Sequence, residues 1–456
     1  MSPAQPEGAP LPGLGELPAQ VRAATPSGTV TGADGLRPFS VYVHVPYCRV
    51  RCGYCDFNTY TNLDMGPGAS AADYPATLAA EARLAHAAMA RAGLPPRPAQ
   101  TVFVGGGTPT MLGASELVGL LDTVRRTWGL ADGAEVTTEA NPETVDEATL
   151  AILAAGGFTR VSLGMQSAVP RVLATLDRTH RPERVPQVVA WARRAGLDTS
   201  LDLIYGTPGE TLEDWRVSLE AAVALEPDHL SAYALVIEEG TRMWGQVRRG
   251  DLPVPEDDDE ADKYELADAL LGAAGYGWYE ISNWARAGHE CRHNRAYWLD
   301  ADWWGLGPGA HSHLGDVRLW DTKHPLAWAA QVAAGRLPVA GHEVIDASSR
   351  ELERVMLAIR LREGVELASL AGGEAGAAPA VSGPAGPSMT AGPGVTTGDG
   401  GPTAQPWRTP SALVPVMGQL VADGLLDGAA ALDGRAVLTL RGRLMADTVT
   451  RALTEV

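Results

Sequence analysis

Residues 41–57 read VYVHVPYCRVRCGYCDF, a β-branched run that breaks at Pro46 into a loop carrying Cys48, Cys52 and Cys55. The alternation of Val41, Val43 and Val45 predicts a strand over 41–45, with the loop hanging from its carboxyl end. The same punctuation recurs downstream, predicting strands over 101–104, 135–138, 160–163, 200–204 and 229–234. Helical periodicity fills the intervals at 116–127, 146–155, 184–195 and 212–224. Parallel neighbours need long crossovers, so six such units in series predict an α/β protein with a parallel sheet.

In parallel α/β folds, ligands collect at the carboxyl ends of the strands, where loops vary over a rigid scaffold. The chemistry-bearing residues of this chain fall in those places. The cysteines follow the first strand, Gly105-Gly106-Gly107-Thr108-Pro109 follows the second, and Glu139 ends the third. Gly164 and Gln166 follow the fourth, and Asp202 lies at the fifth.

Three thiols within eight residues present soft ligands suited to an iron-sulfur cluster or to zinc. They are one short of a closed site. A structural zinc would need His44 or the distant Cys291 as its fourth ligand. A [4Fe-4S] cluster tolerates the vacancy, which leaves one iron open to a small molecule.

Composition narrows the function. The chain has 456 residues with 36 Lys+Arg against 55 Asp+Glu, a net charge of −19, which argues against a nucleic-acid partner. Lys263 and Lys323 are its two lysines and neither sits in a motif for Schiff-base chemistry. The uncharged stretch 375–398 is long enough to cross a bilayer, but its Gly, Pro, Ser and Thr content predicts no membrane span. With no apolar leader in the first residues, a cytoplasmic protein is expected.

The expected organisation is a disordered leader at 1–38, a core at 39–240, a Trp/His-rich extension at 241–338, and a cap at 339–456. The cap resembles a small winged-helix-like α/β unit and carries a low-complexity insertion at 371–410.

The run Cys48-Arg49-Val50-Arg51-Cys52-Gly53-Tyr54-Cys55, paired with the Gly105–Pro109 loop, resembles the radical S-adenosylmethionine (SAM) superfamily. The resemblance implies a partial (β/α)6 TIM-type barrel in which Cys48, Cys52 and Cys55 hold a [4Fe-4S] cluster. It further implies that Gly107 and Thr108 contact the methionyl end of SAM, with Glu139, Gln166, Arg178 and Asp202 holding its amino acid and ribose parts. Residues 160–167, 202–206 and 279–283 extend the likeness to the oxygen-independent coproporphyrinogen III oxidase-like group. Within it, Phe57 stands where the true oxidase typically has a further cysteine. His293-Asn294-Arg295-Ala296-Tyr297-Trp298 fits the H-N-x-x-Y-W pattern of HemW-type haem chaperones.

That likeness implies haem as a third cofactor, bound by His293, Tyr297 and Trp298, and haem-accepting respiratory proteins as partners met by transient, peripheral membrane contact. It assigns no catalytic residue. Anaerobic oxidation of coproporphyrinogen III stays open as the enzymatic alternative. Cys291 reads as a second haem contact or a buried thiol, and Gly305–His311 as a tight loop at the barrel mouth with His311 and His313 near the surface.

Overall fold

The computed structural model describes residues 8–13, 15–21, 36–370 and 410–455. Most of the 1–38 leader and nearly all of the 371–410 insertion lie outside the described residues. Contacts divide the chain into two compact units, with the boundary between Arg350 and Glu351.

All six predicted strands form: β1 (Phe39–Val45), β2 (Ala99–Gly106), β3 (Leu130–Ala140), β4 (Arg160–Gln166), β5 (Asp198–Tyr205) and β6 (His229–Ala234). They pair in parallel and in sequence order. The crossovers are helices α1 (Tyr74–Arg91), α2 (Ala114–Thr127), α3 (Glu147–Gly156), α4 (Pro170–Thr175), α5 (Arg184–Ala195) and α6 (Leu212–Ala224). Their limits are written locally. Gly196 closes α5 in the left-handed region at φ 79°, and Thr211 opens α6 with a reciprocal capping box to Asp214.

The two faces of each strand differ in kind. Val41, Val43, Val102, Val161, Leu163 and Leu201 are fully buried on one face. The alternate residues Tyr42, Phe103, Thr137, Ser162, Ser200 and Ser231 line one shared cavity on the other. Because residues from all six strands meet around it, the sheet curls into the expected partial (β/α)6 barrel. Its inner face is largely polar, so the barrel is hollow, where a closed TIM barrel is filled by branched side chains.

Residues 241–338 add strands to this same sheet. After α7 (Arg242–Arg248) and α8 (Asp257–Ala273), β7 (Gly277–Glu280) and β8 (Asn283–Ala285) extend the β6 edge, with β8 antiparallel to β6. After α9 (Arg292–Trp298), β9 (Asp302–Leu306) pairs in parallel with β1 at the other edge. Strands β10 (His311–Leu314), β11 (Val317–Asp321) and β12 (Val339–Val344) continue from it antiparallel, with α10 (Pro325–Ala333) before the last. The Gly305–His311 run is therefore not one loop: it starts in β9 and ends in β10, turning through Gly307 and Gly309 at φ 102° and 78°. His313 is buried at 2% exposure, not at the surface, and lies against Asp300 and Arg350. Within the expected leader, Ala9 exchanges two backbone hydrogen bonds with His342.

Buried charge ties the strand starts together. Asp302, fully buried, accepts from Arg97 at 2.7 Å and lies 3.5 Å from Arg37, which also pairs with Asp300 at 2.6 Å.

The second unit is small and α/β. Beyond α11 (Ala347–Ala358), β13 (Val365–Glu366) pairs antiparallel with β14 (Arg435–Ala436). Helices α12 (Leu367–Leu370), α13 (Pro410–Ala422), α14 (Gly428–Leu432), α15 (Leu440–Leu444) and α16 (Ala446–Thr454) complete it. β14 is short because Thr439, three residues on, already caps α15, its side chain accepting from the Gly442 N–H.

Candidate cofactor site

The cavity measures about 950 Å³, the size of a generous small-molecule site. Cys48, Cys52, Cys55, Gly107, Thr108, Glu139, Gln166, Arg178 and Asp202 all line it, as do His293 and Tyr297. Trp298 does not line it: its indole donates to Glu280.

The cysteine loop is pinned at both ends. The Cys48 N–H donates to Tyr60 O and the Tyr60 N–H to Pro46 O, while Asn58 Nδ2 donates to Pro308 O and Lys323 O. Each thiol has a polar neighbour: Thr108 Oγ1 at 3.7 Å from Cys48, Arg178 Nη1 at 3.4 Å from Cys52, and Thr59 Oγ1 at 3.9 Å from Cys55. Burial pushes the Cys48 thiol up to about 11 against the Thr108 hydrogen bond, and Cys55 and Cys52 push it the same way. Cys55 is raised by burial too. Three thiolates packed this closely repel one another until a shared cation neutralises them, which suits a metal cluster.

Neither sequence candidate for a fourth ligand is available where it stands. His44 has both ring nitrogens engaged, Nδ1 with Tyr42 OH and Nε2 with Asn58 O, each at 2.9 Å. Cys291 sits beside the N-terminal half of β3, its thiol donating to Glu135 Oε1 at 3.6 Å. Its thiol is buried, pushed up to about 12 by desolvation and then by the Glu135 charge, and lines the cavity beside His293 and Tyr297. The donor set thus fits a cluster held through three irons and open at the fourth.

Facing the thiols is a cradle for a small zwitterion. Glu139 Oε2 accepts the Gly106 N–H at 3.1 Å; burial raises this carboxyl to about 8, Asp202 adds to the rise, and the Gly106 bond opposes it. Asp202 Oδ2 accepts from Ser162 at 2.8 Å and is also raised by burial. Gln166 is held at φ 53°, an uncommon conformation for a non-glycine residue. Its Oε1 and the Arg178 Nε are buried without a partner, polar capacity that a ligand would use. A Cβ at Gly164 would come within 2.7 Å of Gln166 Nε2 and 3.1 Å of Arg178 Nη2, so the glycine keeps both side chains in place.

His293 lies at the opposite end. Its Nδ1 bonds Thr101 Oγ1 at 2.7 Å, and Thr101 is five residues before Gly106, about 16 Å along β2. Since the Thr101 hydroxyl donates to Ser40, Nδ1 carries the imidazole proton, and Nε2 accepts from Tyr297 OH at 2.9 Å. The ring stacks on Phe103, is 1% exposed, and burial lowers its proton affinity to about 3. The neutral imidazole therefore has no free lone pair.

Tyr42, Phe103, Ser162, Ser200 and Ser231 were not singled out in the sequence. Their signal is the strand parity, polar and aromatic residues alternating with Val and Leu.

A model of the radical SAM superfamily matches residues 42–222. A Mycobacterium tuberculosis protein named "Heme chaperone HemW" is 46% identical over 444 residues, covering 97% of each chain. The protein of that name from Synechocystis is 35% identical, covering 74% of this chain and 81% of its own, and that from Escherichia coli is 37% identical over 64% and 75%. Among solved structures, coproporphyrinogen III oxidase (HemN) from Escherichia coli, a radical SAM enzyme, superposes with a TM-score of 0.70 over 92% of this chain and 90% of its own. At 21% identity that likeness speaks to the fold.

Proposed function

Because this chain belongs to the HemW family of radical SAM proteins, we propose that it is a haem chaperone: it takes up haem and passes it to haem-requiring proteins, respiratory enzymes among them. The observation that carries the cofactor part is the trio of thiols, with neither His44 nor Cys291 placed as a fourth ligand, set opposite the Glu139, Gln166, Arg178 and Asp202 cradle in one cavity.

In this reading Cys48, Cys52 and Cys55 hold a [4Fe-4S] cluster whose open iron chelates the amino and carboxylate groups of SAM. Gly107 brings backbone close to the methionyl end and Thr108 supports the Cys48 sulfur. Arg178 would neutralise charge at Cys52, while Glu139 would accept from the N–H of the coordinated amino group and Asp202 from the ribose hydroxyls. Haem shares the cavity, whose floor carries His293 and Tyr297; ligation of iron by His293 would require Tyr297 to give up its hydrogen bond. No described helix is long and apolar enough to cross a membrane, so delivery from the cytoplasm to membrane enzymes would be by peripheral contact.

The test uses anaerobically reconstituted protein loaded with haem and mixed with an apo-haem protein. Stoichiometric uptake followed by transfer is expected. Sustained carbon dioxide release from coproporphyrinogen III, with SAM and reductant, would instead establish the oxidase activity and overturn the chaperone reading.

A further inference from the structure

Three large apolar side chains stand exposed at the lip of the cavity. Val50 and Phe57, from the cysteine loop, are 44% and 58% exposed, and Val236, just beyond β6, is 65% exposed. One exposed apolar residue is ordinary, but three around a single opening form a surface that gains from being covered. Arg49 lies next to Val50 on the same lip, exposed, with no hydrogen-bond or ion-pair partner among the described residues. Arg51 is turned back on its loop, Nη2 donating to Cys55 O at 3.2 Å and Phe57 O at 3.4 Å, which braces the segment that presents Phe57. Of the carboxylates around the opening, Glu143 and Asp177 are paired with Arg181 and Arg242. Asp56 and Glu238 are the others, so the lip is not uniformly acidic despite the chain's net charge.

Haem is a flat apolar disc with anionic carboxylates on one edge. An apolar rim with an uncommitted guanidinium at one side matches both features. The floor does not: His293 is closed off by Thr101 and Tyr297, about 16 Å of strand below the mouth. Taking the haem-chaperone reading as given, we infer that haem is first held at this lip, its macrocycle against Phe57, Val50 and Val236 and a propionate on Arg49. A haem gripped by its face and edge keeps its iron free of a protein imidazole, which favours handing it on.

The experiment is an anaerobic haem titration of the full-length reconstituted chain, followed by Soret absorbance, with cluster content confirmed by iron and sulfide analysis. Phe57→Ser and Val236→Ser are each expected to weaken binding about tenfold, the loss for leaving one such side chain uncovered. Arg49→Glu is expected to weaken it similarly and to flatten its dependence on salt. Val236 lies outside the cysteine loop, so Val236→Ser keeps the test valid if Phe57→Ser or Arg49→Glu loses iron. Parent-like affinity in Val236→Ser and Arg49→Glu, with loss confined to His293→Ala, overturns the inference. A parent protein that takes up no haem defeats the chaperone reading itself.

Discussion

Gly107→Ala offers the sharpest check on how the cluster loop is built. A Cβ at this position would stand 2.6 Å from the Tyr47 carbonyl oxygen and 3.0 Å from Cys48 Sγ. Ordinary contact begins near 3.4 Å, so Tyr47 or the glycine loop must retreat by about 0.8 Å. Neither moves freely, since the Gly107 N–H donates to Val45 O and the Thr108 N–H to Tyr47 O, both at 2.8 Å. Overpacking of this kind costs about 1–3 kcal/mol, equivalent to a few degrees of thermal midpoint. The larger effect falls on Cys48, because metal sites hold their ligand distances to about ±0.2 Å and the forced shift exceeds that. After anaerobic reconstitution, iron and sulfide per chain are expected to drop below half the parent value, with a lower midpoint for the metal-free protein. Gly119→Ala is the control: it lies within α2 with nothing inside 4 Å, and alanine there is expected to stabilise by about 0.5–1 kcal/mol. A Gly107→Ala protein with parental cluster content and midpoint would refute this account of the loop.

Three further outcomes are expected. With its carboxyl raised to about 8, Glu139 holds a proton at pH 7, and the sulfonium charge of SAM favours its release; calorimetry in buffers of different ionisation enthalpy should count close to one proton more per site in the parent than in Glu139→Gln, over and above the proton that the amino group of SAM loses in both. Equal release in both proteins would exclude Glu139 as the source. Asp302→Ala leaves the Arg37 and Arg97 guanidiniums buried beside a void, so a loss of about 3–5 kcal/mol is expected in denaturant unfolding of the first unit, and a loss under about 1 kcal/mol would contradict it. His293 has a folded value near 3, below its unfolded one, so the stability it contributes is whole above about 6.5 and is lost as pH falls toward 3. Buried carboxyls such as Glu81, raised to about 7, titrate in the opposite sense. The comparison is therefore parent against His293→Gln, with about 1 kcal/mol of extra acid sensitivity in the parent between pH 7 and 5.5; parallel profiles would rule out the buried neutral imidazole.

The core was legible where its signals are local. β6, α5 and α6 fall on their predicted residues, because Gly196, Thr211 and the strand alternation mark their ends within a few positions. The three cysteines were legible because they occupy a single loop. The edge strands β7 to β12 were not. They are short and rich in Trp and His, and Trp304, Ser312, His313 and Trp320 are all buried, so no polar alternation betrays them. The setting of His293 was hidden for another reason. Its partner Thr101 is 192 residues away in sequence, and a helix-face argument sees only Tyr297, four residues on. Trp298 shared the motif but faces Glu280, a contact that only the tertiary fold creates.

The opposite character of the two strand faces has a consequence for how such a protein can change. Cohesion resides in the valines and leucines pressed against the helical jacket, while serines and threonines furnish the chamber. Substitutions inside can therefore drift, acquire new guests or lose old ones at small expense to folding. Replacements beneath the jacket are forbidden almost regardless of what the chamber holds.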